Sequence, residues 1–418
     1  MNETRYYKYY FFLLVILCTW FSTTVAPPMP IRLVYLVALI IPAYLYAPNL
    51  LVPVLACFTS VAAYGFSCSY MPTELHYYLI IMFPLLGFGL QKNLKTQRPS
   101  VLFTCFCLYV LCIDLLKGGK LENIDYSILV VLISFFFVSK DGHEESCYIL
   151  SFIIVSLIIC LYFFTYGQSG TVEVSEDGRT AWKDSNYLGN VCGMGIVLAY
   201  NVLVNNLYTN KKFKYLCLLT VIVGVIMIVL NASRGAFLSM TVAIMIITLF
   251  ARIKTSSKFG IVIAVSLSAV TMYSLGLFEV LEERVMSDDG TGNARTIIWA
   301  AKLDAYSQLS LLEKVFGSGY RRGFELAIPG GFGFHCDYIA WLVDYGIVGL
   351  LFFISLLIYP LKLVWHRPSQ RPIVLSLILF LATCCSTLEP LTAGRLAYWY
   401  FYMLIVLFAR WSLSLIHI

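Results

Sequence analysis

Long apolar runs, interrupted by short polar stretches, make up most of the chain. Dividing it at polar or Pro/Gly-rich positions gives about fourteen apolar segments, each close to the roughly 20 residues that a helix needs to cross a bilayer. The pattern predicts an all-α, polytopic membrane helix bundle with about 14 transmembrane helices, built as one integral membrane domain over 1–418. The segments centre on 9–26, 32–47, 50–66, 75–90, 100–116, 124–139, 147–165, 186–205, 213–231, 234–251, 259–277, 336–361, 371–388 and 394–412.

Composition supports a lipid environment. Of the 418 residues, 60% are hydrophobic and 12% are charged, whereas soluble domains have about 25% charged residues. The mean hydropathy is +0.82, and aromatic residues, at 16% of the chain, favour the membrane interface. These values exclude a water-soluble fold. The net charge of +6 does not indicate a nucleic-acid partner, because the cations lie between the apolar segments.

The cations also predict an orientation, because Lys and Arg in short loops are retained on the cytoplasmic side. With the N-terminus inside, the cation clusters all fall in cytoplasmic loops, at 91–99, 206–212, 252–258 and 362–370. We therefore expect a bacterial inner-membrane protein with both termini in the cytoplasm. The start of the chain resembles a signal peptide, with an apolar run before Thr24-Val25-Ala26, but we expect an uncleaved first helix.

Two outer stretches are far longer than a turn requires. The first, 166–185, is polar and acidic, and the second, 278–335, is predicted to be a large periplasmic loop that contains short helices. Within it, 287–293 favours a turn and a helix start, and the apolar residues of 295–302 predict an amphipathic helix at the membrane surface. Loops of this length are usually functional or disordered, and the aromatic and apolar content argues against disorder.

His335 ends this loop where a helix is predicted to begin. Histidine titrates near neutral pH and acts as a base at ordinary pH. A structural histidine that caps the helix is the alternative. The glycine-rich approach and the arginine in the same loop favour a catalytic role.

Two arginines on the outer side are candidates for binding an anion. A guanidinium stays charged and binds phosphate oxygens in a two-pronged geometry. Arg234 lies in a very tight outer turn, where a cation runs against the orientation bias, and Arg295 lies in the large loop. The alternatives are an arginine that reaches lipid headgroups at Arg234 and a solvated loop charge at Arg295.

Asp337 and Asp344 lie on one face of the helix that His335 opens. Asp337 is a candidate for orienting the histidine ring or for contacting a substrate. Equally, it is the acidic residue that a helix N-terminus favours.

No metal or nucleotide chemistry is indicated. The 13 cysteines lie mostly in apolar runs and form no C-x-x-C pair. One outer histidine with scattered acids lacks the ligands for zinc, and no phosphate-binding Walker loop occurs. We expect no cofactor and no metal, so an enzyme that faces outward would use an activated substrate already in the membrane.

Taken in order, these motifs resemble the O-antigen polymerase and O-antigen ligase superfamily of bacterial surface-polysaccharide assembly. The resemblance rests on Arg234 in S-R-G-A, Arg295 in G-N-A-R-T, and His335 opening a helix that runs to Gly346 and Gly349. A stretch similar to the family's R-x-x-x-x-x-x-N segment precedes them. The resemblance covers roughly 178–350.

The resemblance implies an inverting, metal-independent glycosyltransferase at the periplasmic face, with a glycan on undecaprenyl diphosphate as donor. It assigns diphosphate binding to Arg234 and Arg295, and proton removal from the acceptor hydroxyl to His335. Arg179 and Asn186, with Asp337, are candidate contacts of the acceptor or the diphosphate. A leaving diphosphate needs charge stabilisation as its bond to the sugar breaks, which fits the arginines.

Three functions stay open at this point. The first is a polymerase that joins repeat units into surface polysaccharide, favoured because this chain has His335-Cys336-Asp337 where many ligases have H-x-H or H-N. The second is a ligase that moves the glycan to lipid A core or protein. The third is a lipid-linked oligosaccharide flippase or transporter. Expected partners are the lipid-linked glycan, membrane lipid, and a chain-length regulator or other assembly proteins, with no nucleic acid.

Overall fold

The computed structural model describes isolated positions between 30 and 55 and then 76–91, 96–138, 145–166, 173–174, 180–181, 185–208, 210–231, 233–251, 253–276, 295–320 and 334–411. The predicted segment 9–26 lies outside the described residues. The segments 32–47 and 50–66 lie outside them for most of their length.

From residue 76 onward, the helices follow the predicted segments. They are α1 (His76–Gln91), α2 (Val101–Gly118), α3 (Asn123–Ser134), α4 (Glu145–Tyr166), α5 (Ser185–Val204), α6 (Lys211–Leu230), α7 (Arg234–Phe250), α8 (Thr255–Ser274), α9 (Arg295–Ser307), α10 (Leu311–Phe316), α11 (Asp337–Leu363), α12 (Arg371–Thr387) and α13 (Leu396–Arg410). A short 3-10 turn, Phe135–Phe137, follows α3.

A small β-ladder corrects the all-α prediction in one detail. β1 (Glu173–Val174) pairs antiparallel with β2 (Thr180–Ala181), with Glu173 opposite Ala181. The ladder lies inside the polar stretch 166–185, where periodicity gave no sign of it.

Several helix ends follow from their capping residues. Ser100 accepts a hydrogen bond from the backbone N–H of Phe103 and starts α2, which ends at Gly119 in a left-handed conformation. Ser310 and Glu313 form a reciprocal capping box at the start of α10. These side chains satisfy backbone groups that a helix end otherwise leaves unpaired.

Four helices in the described part of the chain are long and apolar enough to cross a membrane: Val101–Gly118, Asn186–Val204, Lys211–Leu230 and Asp337–Leu363. Shorter apolar helices accompany them, at His76–Gly87, Asn123–Phe137, Ser146–Leu161, Arg234–Phe250, Arg371–Thr387 and Leu396–Arg410. The chain is therefore a multi-pass membrane protein.

Helix α5 lies at the centre of the bundle, against α4, α6, α7 and α12. Small residues allow this approach: a Cβ on Gly189 would lie 2.9 Å from Ala236 Cβ on α7, and one on Gly195 would lie 2.6 Å from Phe152 O on α4. Close packing of this kind associates helices in a membrane, where lipid removes the hydrophobic driving force. It fixes the start of α7 beside the start of α5.

A group of arginines lies at the C-terminal end of α11, away from His335. At its C-terminal end, Arg367 donates to the carbonyl of Ala409 at 3.2 Å, and Arg410 donates to the carbonyl of Arg98 at 2.5 Å. The N-terminal end follows His335. At 27 residues and about 1.5 Å per residue, α11 is long enough to span the hydrocarbon core.

The described part of the large loop, 295–320, contains two short helices, as predicted, and one side of α9 packs on the rest of the protein. Ile298 and Lys302 are buried, while Ile297 is 60% exposed. Ile339 and Tyr306 pack on a small apolar cluster of Phe334, Ala340 and Val343, so α9 contacts the start of α11. The sequence showed an apolar face but not what covers it.

Candidate active site

The backbone around His335 is held on both sides. His335 itself has φ 51°, a left-handed conformation that few residues other than glycine adopt. The N–H of Phe334 donates to Glu389 Oε2 at 2.7 Å, and the N–H of Asp337 donates to the carbonyl of Leu388 at 3.0 Å. Such a conformation persists only where the surroundings over-determine it, and it is common at functional sites.

Helix α9 brings Arg295 to His335. Trp299 Nε1 donates to the carbonyl of Phe334 at 2.9 Å, and Lys302 Nζ lies 4.9 Å from the centre of the Phe334 ring. Arg295, Trp299 and Lys302 follow one another at helical spacing, so they share one face of α9. The structure therefore brings together two of the predicted site residues.

The electrostatic setting of His335 favours its neutral form. Burial lowers the pKa of the imidazole, and the charge of Arg295 lowers it further. A group with a lowered pKa is neutral over more of the physiological pH range, and a neutral imidazole is the form that accepts a proton.

Arg234 lies at the first position of α7, in the turn that the packing of α5 fixes. The hydroxyl of Ser233 donates to Asn186 Oδ1 at 3.2 Å. A Cβ on Gly235 would lie 2.9 Å from Thr387 Oγ1 at the end of α12. The next residue after Thr387, Leu388, binds the backbone beside His335, so the Arg234 turn and Asn186 belong to the same end of the bundle.

Asp337 is part of the scaffold in this arrangement. It is fully buried, and its carboxylate accepts hydrogen bonds from the backbone N–H groups of Leu391 and Thr392, at 3.1 and 2.8 Å, and from the Thr392 hydroxyl. Those donors engage both carboxylate oxygens. This placement fits a structural role and does not favour substrate contact. Arg179, another predicted contact, lies outside the described residues.

Arg395 was not among the site residues that the sequence predicted. Arg395 precedes α13, and its guanidinium carbon lies 4.9 Å from the centre of the Tyr187 ring, beside Asn186. It ends the turn at 388–395 that holds Phe334 and Asp337. The sequence feature that could have indicated Arg395 is its position as a cation on the predicted outer side, next to the start of a helix.

A pair of glycines fastens the large loop to α11. Gly346 interrupts α11 with φ 68°, and a Cβ there would lie 2.5 Å from Val315 O. Gly317 has φ 92°, and its Cβ would lie 2.3 Å from Asp344 O. The kink frees three carbonyls of α11 from the helical hydrogen-bond pattern. They accept hydrogen bonds at 2.8 to 3.1 Å: Val343 O from Ser318 Oγ, Asp344 O from Gly319 N, and Tyr345 O from Tyr109 Oη.

At one end of the bundle, the site thus combines several cations with a neutral imidazole. Such an arrangement can bind an anionic group and accept a proton. Residues 219–354, about a third of the chain, match the family model described as O-antigen ligase. The match includes Arg234, Arg295 and His335. No curated protein matches the chain.

Proposed function

Because residues 219–354 match the family model described as O-antigen ligase, we propose that the protein is a glycosyltransferase that polymerises undecaprenyl-diphosphate-linked repeat units into surface polysaccharide. The observation that carries this proposal is the pairing of His335 with Arg295, whose charge acts on the imidazole. The pairing joins a base to a cation that binds phosphate.

In the reaction, His335 takes the proton from the acceptor hydroxyl. The hydroxyl oxygen attacks the anomeric carbon of the donor sugar from the face opposite the diphosphate, which inverts the configuration. The bond between the sugar and the diphosphate breaks, and the charge that develops on the diphosphate is stabilised by Arg295 and Arg234. Asn186 and Arg179 contact the acceptor or the diphosphate. No metal or cofactor takes part.

We place the reaction at the periplasmic face of the inner membrane, with both chain termini in the cytoplasm. Two observations support this orientation. Arg98, Arg367 and Arg410 gather at the end of α11 opposite His335, and the cation-rich loops alternate along the sequence as the positive-inside rule requires.

The first experiment uses His335→Ala, Arg234→Ala and Arg295→Ala in a surface-glycan display assay. Each should abolish long chains while the protein still accumulates in the membrane, and loss of a general base alone costs typically about 10²- to 10⁴-fold. Arg98→Ala, at an exposed cation of the opposite end, is the matched control and should keep normal chains. Normal chain lengths in all three site variants would refute the mechanism.

A ligase that transfers finished glycan to lipid A core or protein is the second candidate, and the match to the O-antigen ligase family model does not separate it from the polymerase. The His335-Cys336-Asp337 sequence favours the polymerase. Deleting the gene separates them, because a lost polymerase leaves single-unit decoration. A lost ligase leaves polymer on its lipid carrier.

A further inference from the structure

Lys302 is a fully buried lysine that the proposed reaction does not use. A lysine is almost never fully buried unless it is paired. Burial lowers the pKa of its amino group, while the charges of Asp344 and Glu389 oppose that change. These two carboxylates line a small pocket together with Phe334, below the His335 turn. Lys302 is therefore held among groups from three elements: α9, α11 and the 388–395 turn.

Two groups near Lys302, Glu389 and Phe334, belong to the contacts that hold the backbone at His335. Glu389 accepts the N–H of Phe334 at 2.7 Å, and the amino group of Lys302 lies over the ring of the same residue, 4.9 Å from its centre. Trp299, one turn earlier on α9, holds the carbonyl of Phe334. The residue before the strained His335 is thus bound through its N–H, its carbonyl and its ring.

The same helix carries Arg295. Arg295, Trp299 and Lys302 occupy successive turns of one α9 face, so anchoring that face at Trp299 and Lys302 also sets the position of Arg295 against His335. From these contacts we propose that Lys302, with Glu389, is a positioning residue that fixes the Arg295–His335 pair. This inference rests on the proposed function, because the pair it positions is the proposed base and its neighbouring cation.

The proposal predicts a change in pH dependence. If α9 is loosened, Arg295 moves away from His335 and the pKa of the imidazole rises. The base is then protonated at a higher pH, so on acidification the activity begins to fall earlier than in the wild type. The titratable and charged groups on the elements around His335 fall into three sets. Arg295, Lys302, Asp304 and Tyr306 lie on α9; Cys336, Asp337, Tyr338 and Asp344 lie before and at the start of α11; Glu389 and Arg395 lie in the 388–395 turn.

The test measures initial polymerisation rates against pH in membranes supplied with lipid-linked repeat units. The acid limb of the profile is the pH range over which the rate falls as the medium is acidified. Lys302→Met should move this limb to higher pH by about half a pH unit or more. Lys314→Met, the same change on α10 of the same loop, should leave the limb in place. A rate that falls equally at every pH in Lys302→Met, or an equal shift in Lys314→Met, would overturn the proposal.

A second variant covers the case in which Lys302→Met fails to accumulate. Trp299→Phe keeps the ring packing, removes no charge and deletes the hydrogen bond to Phe334, so its acid limb should move in the same direction. An unmoved limb in Trp299→Phe also overturns the proposal. His335→Ala separates the two levels: if it keeps the wild-type rate, the proposed function fails, whereas an inactive His335→Ala with unmoved limbs in the α9 variants refutes only the positioning role.

Discussion

At the scale of single residues, the site depends on one histidine in a strained conformation. The left-handed backbone of His335 costs about 1–3 kcal/mol, and hydrogen bonds through Phe334 and Asp337 hold it in place. Arg295 and burial then set its proton affinity. The backbone conformation of His335 and the pKa of its imidazole therefore have separate causes, and each can be tested by a different experiment.

The pH dependence of transfer should report on the imidazole. Burial and Arg295 lower the pKa of His335, so the neutral base persists as pH falls until the lowered pKa is reached. The wild-type acid limb should therefore lie below about 6.5, the value of a free histidine. Arg295→Gln should reduce the rate and move the limb of the residual activity to higher pH. An unmoved limb would show that Arg295 does not act on His335.

Asp337 should affect stability. The Asp337 carboxylate accepts hydrogen bonds from two backbone N–H groups and one hydroxyl. Asp337→Asn would place the NH₂ donor of an amide against these donors. An unsatisfied buried group costs about 1–3 kcal/mol, so the purified protein in detergent should melt at a lower temperature. Asp304→Asn, at an exposed aspartate of α9, is the control and should melt as the wild type does.

At the scale of elements, the kink in α11 fits the loop segment at Gly317. Two backbones approach there more closely than a Cβ on either glycine would permit. The kink also frees carbonyls of α11, and the loop supplies their donors. The attachment therefore depends on backbone conformation more than on side-chain chemistry.

Gly346→Ala should be strongly destabilising. With φ 68° and ψ −172°, Gly346 has a backbone conformation that essentially only glycine adopts and that costs other residues about 1–3 kcal/mol. The added carbon would also collide with Val315 O at 2.5 Å. Gly87→Ala, in α1 with no atom within 4 Å of the new Cβ, is the matched control and should be neutral or slightly stabilising. Thermal melting of both variants in detergent compares them. Equal melting temperatures would contradict the role of the kink.

The same elements show what sequence patterns can and cannot predict. The apolar runs predicted α11 and α12 nearly to their ends, because lipid requires long apolar helices whatever their neighbours. The amphipathic character of α9 was also visible, but the sequence did not show that one side of this helix packs on α11. Hydrophobic periodicity identifies a face to be buried, and only tertiary contacts decide what buries it. The roles of Lys302 and Glu389 were hidden for the same reason.

At the scale of the whole molecule, each end of the bundle has its own set of cations. Arg98, Arg367 and Arg410 lie at one end, and the cations of the candidate site lie at the other. Arg234, Arg295 and His335 were predicted on one side from loop charges alone, because the positive-inside rule acts through local sequence. The contacts that link the Arg234 turn to the end of α12 could not be predicted, since they depend on how α5, α7 and α12 pack. Arg395 entered the site through that packing.

Reporter fusions test the predicted orientation. Alkaline phosphatase folds to its active form only outside the cytoplasm. Joined after Ser310, in the large loop, it should be active, and joined after Lys254, in the cation-rich segment before α8, it should be inactive. The opposite pattern would place His335 in the cytoplasm and exclude a periplasmic reaction.

The contact between Gly317 and Gly346 has a consequence for how such sequences diverge. Each glycine faces backbone atoms of the other segment, so a substitution at either position cannot be accommodated by a smaller side chain opposite it. Related chains that keep this attachment should therefore retain both glycines. A joint loss, accompanied by a continuous helix at α11, would mark relatives whose large loop is attached elsewhere.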